Sequence, residues 1–429
     1  MRFLFISSYG DGAGVAYRVQ EEGNEVALWI KRETHLPKKL MYNGIVPRVD
    51  KWENFLTRPG ETVVVFDSTG GGKTAERLRQ QGHPVFNGSF WADQMEENRE
   101  YGIEVMTECG IRVPEYRTFT SLEEGQAWCR SHKDKIWCFK PSGHIPSYLT
   151  YIPTDVEDMI QYFDYLKLAL KGEPITFELQ EYKEGLAVST EAWCDGRRFV
   201  PPFNHTLEKK RYSDSDLGVS TGCAGNVVWM ETKQCETVQR GIGLAERVCV
   251  ENGYIGAIDL NMIVNREGHW GLEWTIGRFG YDAISAFLRL YKGNFSKVLS
   301  DFARGQWPEG EGLDIIENRF AGALRLSIPP SPDEEHPSGP GVPLRGFKRE
   351  DLPSCYFYEV MEDPVTKHFV SSGGYGAIVS ASGIALSPRE SMENGYRICE
   401  GAMVPNKHYR TDLREEFEKA YGEFASLGL

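Results

Sequence analysis

The sequence predicts a multi-domain protein, α/β at its amino end and α+β beyond it. Three observations carry this. Short apolar runs alternate with helical stretches through residues 1–92; strands joined by turns follow; and a Pro/Gly/Ser-rich stretch, SIPPSPDEEHPSGPGVPL (327–344), precedes a last group of strands. The length of 429 residues suggests about two to four units of roughly 100–200 residues each.

In order, RFLFIS (2–7), EVALWI (25–30), TVVVFDS (62–68) and PVFNG (84–88) read as strands, with helices at GVAYRVQEEG and TAERLRQQG between them. This βαβ order predicts a small parallel sheet covered on both faces. A helix is expected over Trp91–Cys109, closed by Gly110. Short strands follow at YRTF, IWCFKP and SYLTYI, then a helix at about 155–171 and a strand at ITFELQEY. STEAWCDGRRFVPPF reads as paired strands, LEKKRYSDSD as a charged loop and 233–252 as a helix, followed by strands IGAIDLNMIV and HWGLEWT. The expected divisions are 1–92, 93–325 (with a lid at about 113–185) and 326–429.

Composition narrows the function classes. Apolar residues make up 41% and charged residues 26%, as in soluble globular chains. The nine cysteines are scattered without a C-x-x-C pair, which argues against a disulfide framework or structural zinc and for a reducing, cytoplasmic setting. No run of about 18 apolar residues suggests a membrane span. A net charge of −14 disfavours nucleic acid as a partner. A polyanionic small molecule would need local cations, helix N-termini or a metal. Oligomeric state is not legible.

Two glycine-rich turns invite phosphate readings. In DSTGGGKTAERL the P-loop pattern needs a glycine where Asp67 stands, so it fails. YGDGAGVAYRV has Gly10, Gly12 and Gly14, which is not G-x-G-x-x-G. The turn in DSTGGGKTAERL reads as a sheet-edge turn that helps shape a substrate cleft, and a nicotinamide-binding reading of YGDGAGVAYRV is weak; Gly10 and Gly12 are substrate-binding candidates.

The chemistry concentrates in IGAIDLNMIVNREGHWGLEWT, a β-hairpin turning at NREG. Alternation puts Asp259 and Asn261 on one face, and Glu273 and Thr275 on one face of the partner strand. Acidic side chains in apolar strands are costly unless paired or metal-bound, and strand-borne oxygens suit Mg²⁺. Pattern alone leaves two readings open, a metal site or carboxylates facing solvent from edge strands. No convincing Ser-His-Asp or Cys-His set occurs among the nine histidines.

VMTECGIRVPEYRTF, WCFKPSG, ELQEYKEGLAVSTEAWCDGR, RYSDSDLGVSTGCAG and GLEWTIGRFGYD occur in the order seen in the ATP-grasp family, which the chain therefore resembles. Within it the sequence is most similar to the glycinamide ribonucleotide synthetases, and FVSSGGYGAIVSASGIALSPRESMENGY looks like their closing domain. The resemblance implies an ATP-grasp fold with a Rossmann-like N-terminal domain and a small closing domain. It also implies an ATP-dependent ligase using Mg²⁺ or Mn²⁺, with an amino acid or other carboxylate and an amine such as phosphoribosylamine as substrates.

By resemblance, Lys140 contacts phosphate, and Gln180, Glu181, Tyr182 and Lys183 form the adenine hinge. Lys210 and Arg211 precede a loop with Ser220, Thr221, Gly222 and Gly225 that closes over the substrates. Arg278 stabilises an acyl-phosphate, and Asp259, Asn261, Glu273 and Thr275 hold the metal. The pattern also departs from the family. Arg99 stands for the first ATP-contacting lysine, and Thr275 for a metal-binding asparagine. Leu186 or Ala187 stands where an acid holds ribose, leaving Glu184 or Glu191 as substitutes. The flap SGHIPSYLT keeps only Gly143, TIGRFG has one extra residue, and Cys223 and Ala224 replace part of the glycine loop. A ligase for another carboxylate–amine pair and a non-catalytic nucleotide binder are the alternatives.

Overall fold

The fold was obtained as a computed structural model, which describes residues 1–31, 40–142, 149–279, 282–333 and 336–428, without the Asp282 side chain. Strands β1 (Arg2–Ser7), β2 (Glu25–Ile30), β3 (Thr62–Phe66) and β4 (Val85–Phe86) form a parallel sheet in the order β2-β1-β3-β4. The helices Ala13–Glu21 and Gly72–Gln80 connect strands of this sheet. The period of two sorts its apolar residues: Leu4, Ile6 and Val64 pack into one small core, while Phe3, Phe5, Val63 and Val65 join the main core.

The helix expected over Trp91–Cys109 is two helices, Phe90–Glu97 and Arg99–Cys109. Asn98 is extended between them, and its side-chain oxygen accepts from Tyr101 N–H at 3.3 Å, so it caps the second helix and sets Arg99 at its first position. Gly110, at φ +81°, closes that helix as expected.

Next, β5 (Tyr116–Phe119), β6 (Trp137–Pro141) and β7 (Phe177–Glu181) make an antiparallel sheet in the order β5-β7-β6. Its core is its own, with Phe119, Trp137, Phe139, Phe163 and Phe177. The helix Leu122–Ser131 was not expected; its signature is Ser121-x-x-Glu124, with Ser121 Oγ accepting from Glu124 N–H. Of the strand expected at SYLTYI, only a bridge from Tyr151 to Phe139 is found among the described residues. Most of the flap, Gly143 included, lies outside them.

The large sheet has eight strands: β8 (Leu186–Asp195), β9 (Phe199–Ser213), β10 (Leu217–Glu231), β11 (Ile255–Asn265), β12 (Gly268–Ile276), β13 (Phe320–Ser327), β14 (Cys355–Phe357) and β17 (Ala377–Ala385). Their order is β12-β11-β8-β9-β10-β13-β17-β14. A separate small pair is β15 (Val360–Glu362) with β16 (Phe369–Ser371).

Three expectations are corrected here. The charged loop LEKKRYSDSD is mostly strand, the outer end of β9, turning through Asp214–Asp216 into β10. The helix at 233–252 is broken into Glu236–Arg240, a 3-10 turn Ile242–Ala245 and Glu246–Glu251. The boundary expected at 325 falls inside β13, which pairs with β10 on one side and β17 on the other, so the closing segment extends the central sheet. Among the described residues, no helix is long and apolar enough to cross a membrane.

Candidate active site

The hairpin β11–β12 forms as the alternation requires. Asp259 lies opposite Thr275 and Asn261 opposite Glu273. A bulge follows Asn261. The Asn261 amide donates to Asp259 Oδ1 (3.2 Å) and Thr275 Oγ1 (3.1 Å), tying three of the four metal candidates together. On the other side of β11, Asp259 faces Glu191 of β8. Glu191 therefore shares this face, while Glu184 lies in the turn before β8, where its carbonyl accepts from the Asn265 amide at 2.6 Å.

Both facing carboxyls are held above their ordinary values. Burial first, and the Asp259 charge second, push Glu191 up to about 8. Burial also pushes Asp259 up to about 7, partly offset by a hydrogen bond from Ser189. Glu273 behaves oppositely. Desolvation works to raise it, but Lys210, Lys140, Arg99 and Arg278 outweigh that and hold it below its ordinary value. Its side chain is 46% exposed, and Arg99 Nη1 lies 3.9 Å from its Oε2.

Among the described residues, no group of three or more His, Cys, Asp or Glu is gathered to hold a metal alone. The donor set still suits a hard divalent cation. Oxygen ligands predominate, the half-buried Glu191–Asp259 pair lacks enough positive charge to ionise normally, and Mg²⁺ takes one or two carboxylates with phosphate and water completing its shell.

The cations arrive from different elements. Lys140 on β6 donates to Gln180 Oε1 on β7 and faces Glu178 in register. Burial, and then the Arg99 charge, push its pKa down. Lys210 lies 3.4 Å from Glu208 Oε2, and their mutual attraction holds its pKa up. Arg278 is seized by Glu96, whose Oε1 accepts from its Nε at 2.7 Å and from its Nη2, while Glu96 Oε2 accepts from Ile276 N–H at 2.7 Å. At the hinge, Lys183 pairs with Glu181 at 2.7 Å and sits 5.4 Å from the Trp270 ring centre. Tyr182 is exposed, and its N–H donates to Ile136 O at 2.8 Å.

Other candidates are placed elsewhere. Arg211 is exposed and donates to Gly218 O (2.9 Å) within its own hairpin, so it does not join Glu273. Ser220, Thr221 and Gly222 lie on β10, not on a loop; Ser220 pairs with Arg211 and Thr221 Oγ1 donates to Lys210 O at 2.7 Å. Gly10 and Gly12 form the turn between β1 and the helix Ala13–Glu21, where Gly12 N–H donates to Asp67. Sequence reasoning missed Glu96, Glu178 and Glu208. Glu208 lies two before Lys210 on the same face of β9, a relation hidden when LEKKRYSDSD reads as a loop; Glu96 carries no local signal.

Residues 97–275 match the family model described as the ATP-grasp (A) domain of phosphoribosylglycinamide synthetase. A phosphoribosylamine–glycine ligase of Halalkalibacterium halodurans is 24% identical over 79% of this chain and 78% of its own length. A bifunctional purine biosynthetic protein of Saccharomyces cerevisiae is 22% identical over 77% of this chain, which spans only 43% of that protein. The crystal structure of phosphoribosylamine–glycine ligase from Thermotoga maritima shares the fold, with a TM-score of 0.72 at 20% identity over 96% of this chain and all of that one. A biotin carboxylase from Campylobacter jejuni is also similar, with a TM-score of 0.62 at 11% identity over 97% and 94% of the two chains. The chain therefore carries an ATP-grasp domain resembling that of the phosphoribosylglycinamide synthetases, and with it a kinship to ATP-dependent carbon–nitrogen ligases.

Proposed function

We propose that the chain is an ATP- and Mg²⁺-dependent, ADP-forming carboxylate–amine ligase of the phosphoribosylamine–glycine ligase type, or a divergent relative of it. The observation that carries this is the convergence of Lys140, Lys210, Arg99 and Arg278 on Glu273, whose carboxyl they keep ionised beside Asp259 and Asn261. In such a reaction the substrate carboxylate takes the γ-phosphoryl group of ATP and ADP leaves. The amine then attacks the acyl carbon, phosphate departs, and the amine loses its proton.

Each side chain has a part that needs no protein nucleophile. Arg99 and Lys140 present positive charge to the phosphates, and Gln180–Lys183 bracket the adenine. Lys210 and Arg278 stabilise charge at the acyl-phosphate, Arg278 aimed by Glu96. Mg²⁺, or Mn²⁺ on the same oxygens, would neutralise phosphate charge when bound. The sheet β5–β7 with its helices, about 113–185, acts as a lid over this face. All nine cysteines are free, which fits a reducing, cytoplasmic setting.

ADP release tests the reading, with ATP, Mg²⁺ and panels of carboxylates and amines, glycine with phosphoribosylamine as the reference pair. ADP that depends on both a carboxylate and an amine is expected. ATP binding without ADP from any pair overturns it.

A further inference from the structure

The sheet face that carries the hairpin carboxylates continues across β8, β9 and β10, and register sets which side chains share it. Asp259 pairs with Glu191 and Glu191 with Asn204; Asn261 pairs with Ser189 and Ser189 with Thr206. Glu208, two further along β9, pairs with Asn226 on β10. Paired residues stand on one face, so Asn204, Thr206, Glu208 and Asn226 lie on the side of Asp259 and Asn261. This face opens outward. Asn204, Thr206 and Asn226 are buried, Ser189, Asp259 and Asn261 are half-buried, and the side chains of Glu208, Glu273 and Lys210 are 28%, 46% and 48% exposed. Solvent therefore reaches Glu208 on the side where Lys210 and Glu273 stand.

Mg²⁺ takes one or two carboxylates, which Asp259 and Glu273 supply, so the Glu208 carboxylate is surplus to the metal. Across the ladder from it, neither the nitrogen nor the oxygen of the Asn226 amide, which is fully buried, has a hydrogen-bond partner among the described residues. Thr206 Oγ1 and Asn204 Oδ1 are likewise unpartnered there. Three unpartnered oxygens beside a carboxylate favour a group rich in N–H and positively charged. On its open side Glu208 Oε2 lies 3.4 Å from Lys210 Nζ. In an α-amino acid the ammonium nitrogen and the carboxylate oxygens are about 2.6–3.6 Å apart by standard bond lengths. The Glu208–Lys210 pair thus presents one negative and one positive charge at the spacing of an α-amino acid's own two charges, in the complementary sense.

We propose that Glu208 is a specificity-determining residue: it holds the ammonium group of an α-amino acid whose carboxylate lies at Lys210, so that the acid substrate is an α-amino acid and not a plain or hydroxy carboxylate. This rests on the ligase reading and narrows its acid.

Calorimetric titration in Mg²⁺ and a non-hydrolysable ATP analogue reads this without turnover. Glycine or L-alanine should bind at least tenfold more tightly than glycolate or L-lactate, in which a hydroxyl replaces the ammonium. Glycine should also bind at least tenfold more tightly than β-alanine, which is one methylene too long for the pair. Glu208→Gln should weaken the amino acids at least tenfold while the hydroxy acids hold or gain, since Lys210 is released to them. Glu208→Asp, which keeps the charge, should discriminate between the two wild-type and Gln extremes, and serves if the first variant does not fold. In the ADP-release assay Glu208→Gln should raise the KM for the amino acid at least tenfold with the KM for ATP unchanged. The proposal is overturned by hydroxy acids bound as well as amino acids in the wild type, by equal weakening of both in Glu208→Gln, or by binding of neither. Absence of ADP with every amine, beside the expected titrations, removes the ligase reading and leaves the role of Glu208 standing.

Discussion

Asp259 and Glu191, both half-buried, face each other across the β11–β8 ladder, and desolvation pushes their carboxyls up to about 7 and about 8. An acid whose pKa is raised by folding favours the folded state while protonated, and loses that advantage as pH rises from its unfolded value, near 4, through its folded one. Without divalent cation, stability should therefore fall between pH 5.5 and 8.5, by at most about 1.4 kcal/mol per pH unit for each group. Glu191→Gln should flatten that slope and raise the melting temperature at pH 8.5 while changing little at pH 5. Millimolar Mg²⁺ should stabilise the wild type more at pH 8.5 than at 5.5. A melting temperature independent of pH across this window would contradict the raised pair.

Glu273 is the acid that four cations keep ionised. Glu273→Ala should lower ADP formation by at least about a hundredfold, the scale of losing a charge-positioning group in an active site, with an unchanged circular dichroism spectrum. Lys140→Met should instead weaken ATP binding, because Lys140 stands on β6, where it donates to Gln180, and not on the hairpin. A Glu273→Ala enzyme of normal turnover would remove the metal assignment.

The hairpin was legible because its signals are local. Strand period, the NREG turn and acids in apolar strands need nothing from elsewhere in the chain, and the register follows from them. Errors arose where distant residues decide. LEKKRYSDSD reads as a loop because its charges suggest solvent, yet its tip is held from some two hundred residues away, where Arg410 pairs with Asp216 and Asp412 accepts from Ser215 N–H. The long helix over Trp91–Cys109 fails at Asn98, whose capping bond competes with continuation. The closing segment reads as separate because 327–344 looks like a linker, whereas β13 and β17 pair directly.

Glu96 shows the same limit at the site, since its partner Arg278 is remote in sequence. Glu96 touches no proposed substrate position and acts by aiming Arg278, so it is a positioning residue. Glu96→Gln should lower kcat about tenfold or more while the KM for ATP moves little, and Arg278→Ala should cost more than Glu96→Gln. Combining them should add little to Arg278→Ala alone, as expected for groups acting as one unit. Additive losses would separate the two residues.

The tip of the β9–β10 hairpin is held by a buried guanidinium. The Arg410 side chain is fully enclosed and pairs with Asp216 (2.6 Å) and Asp412 (2.7 Å), while Ser215 N–H donates to Asp412 Oδ2 at 2.8 Å and Thr411 N–H to Asp214 Oδ1 at 2.7 Å. Lys209 adds bonds to Asp216 and Glu416, both at 2.7 Å. The hairpin bearing Lys210 is thus clamped to the chain's C-terminal part and is not a free flap. Arg410→Ala leaves Asp216 and Asp412 without their partner, and loss of a buried ionic partner costs about 3–5 kcal/mol. Partial exposure of both acids should bring this towards about 2–3 kcal/mol. Protease cleavage should then appear between Asp214 and Asp216, with kcat falling more than the KM for ATP because Lys210 loses its placement. An Arg410→Ala protein as resistant to protease as the wild type would show that the hairpin holds its place without the clamp.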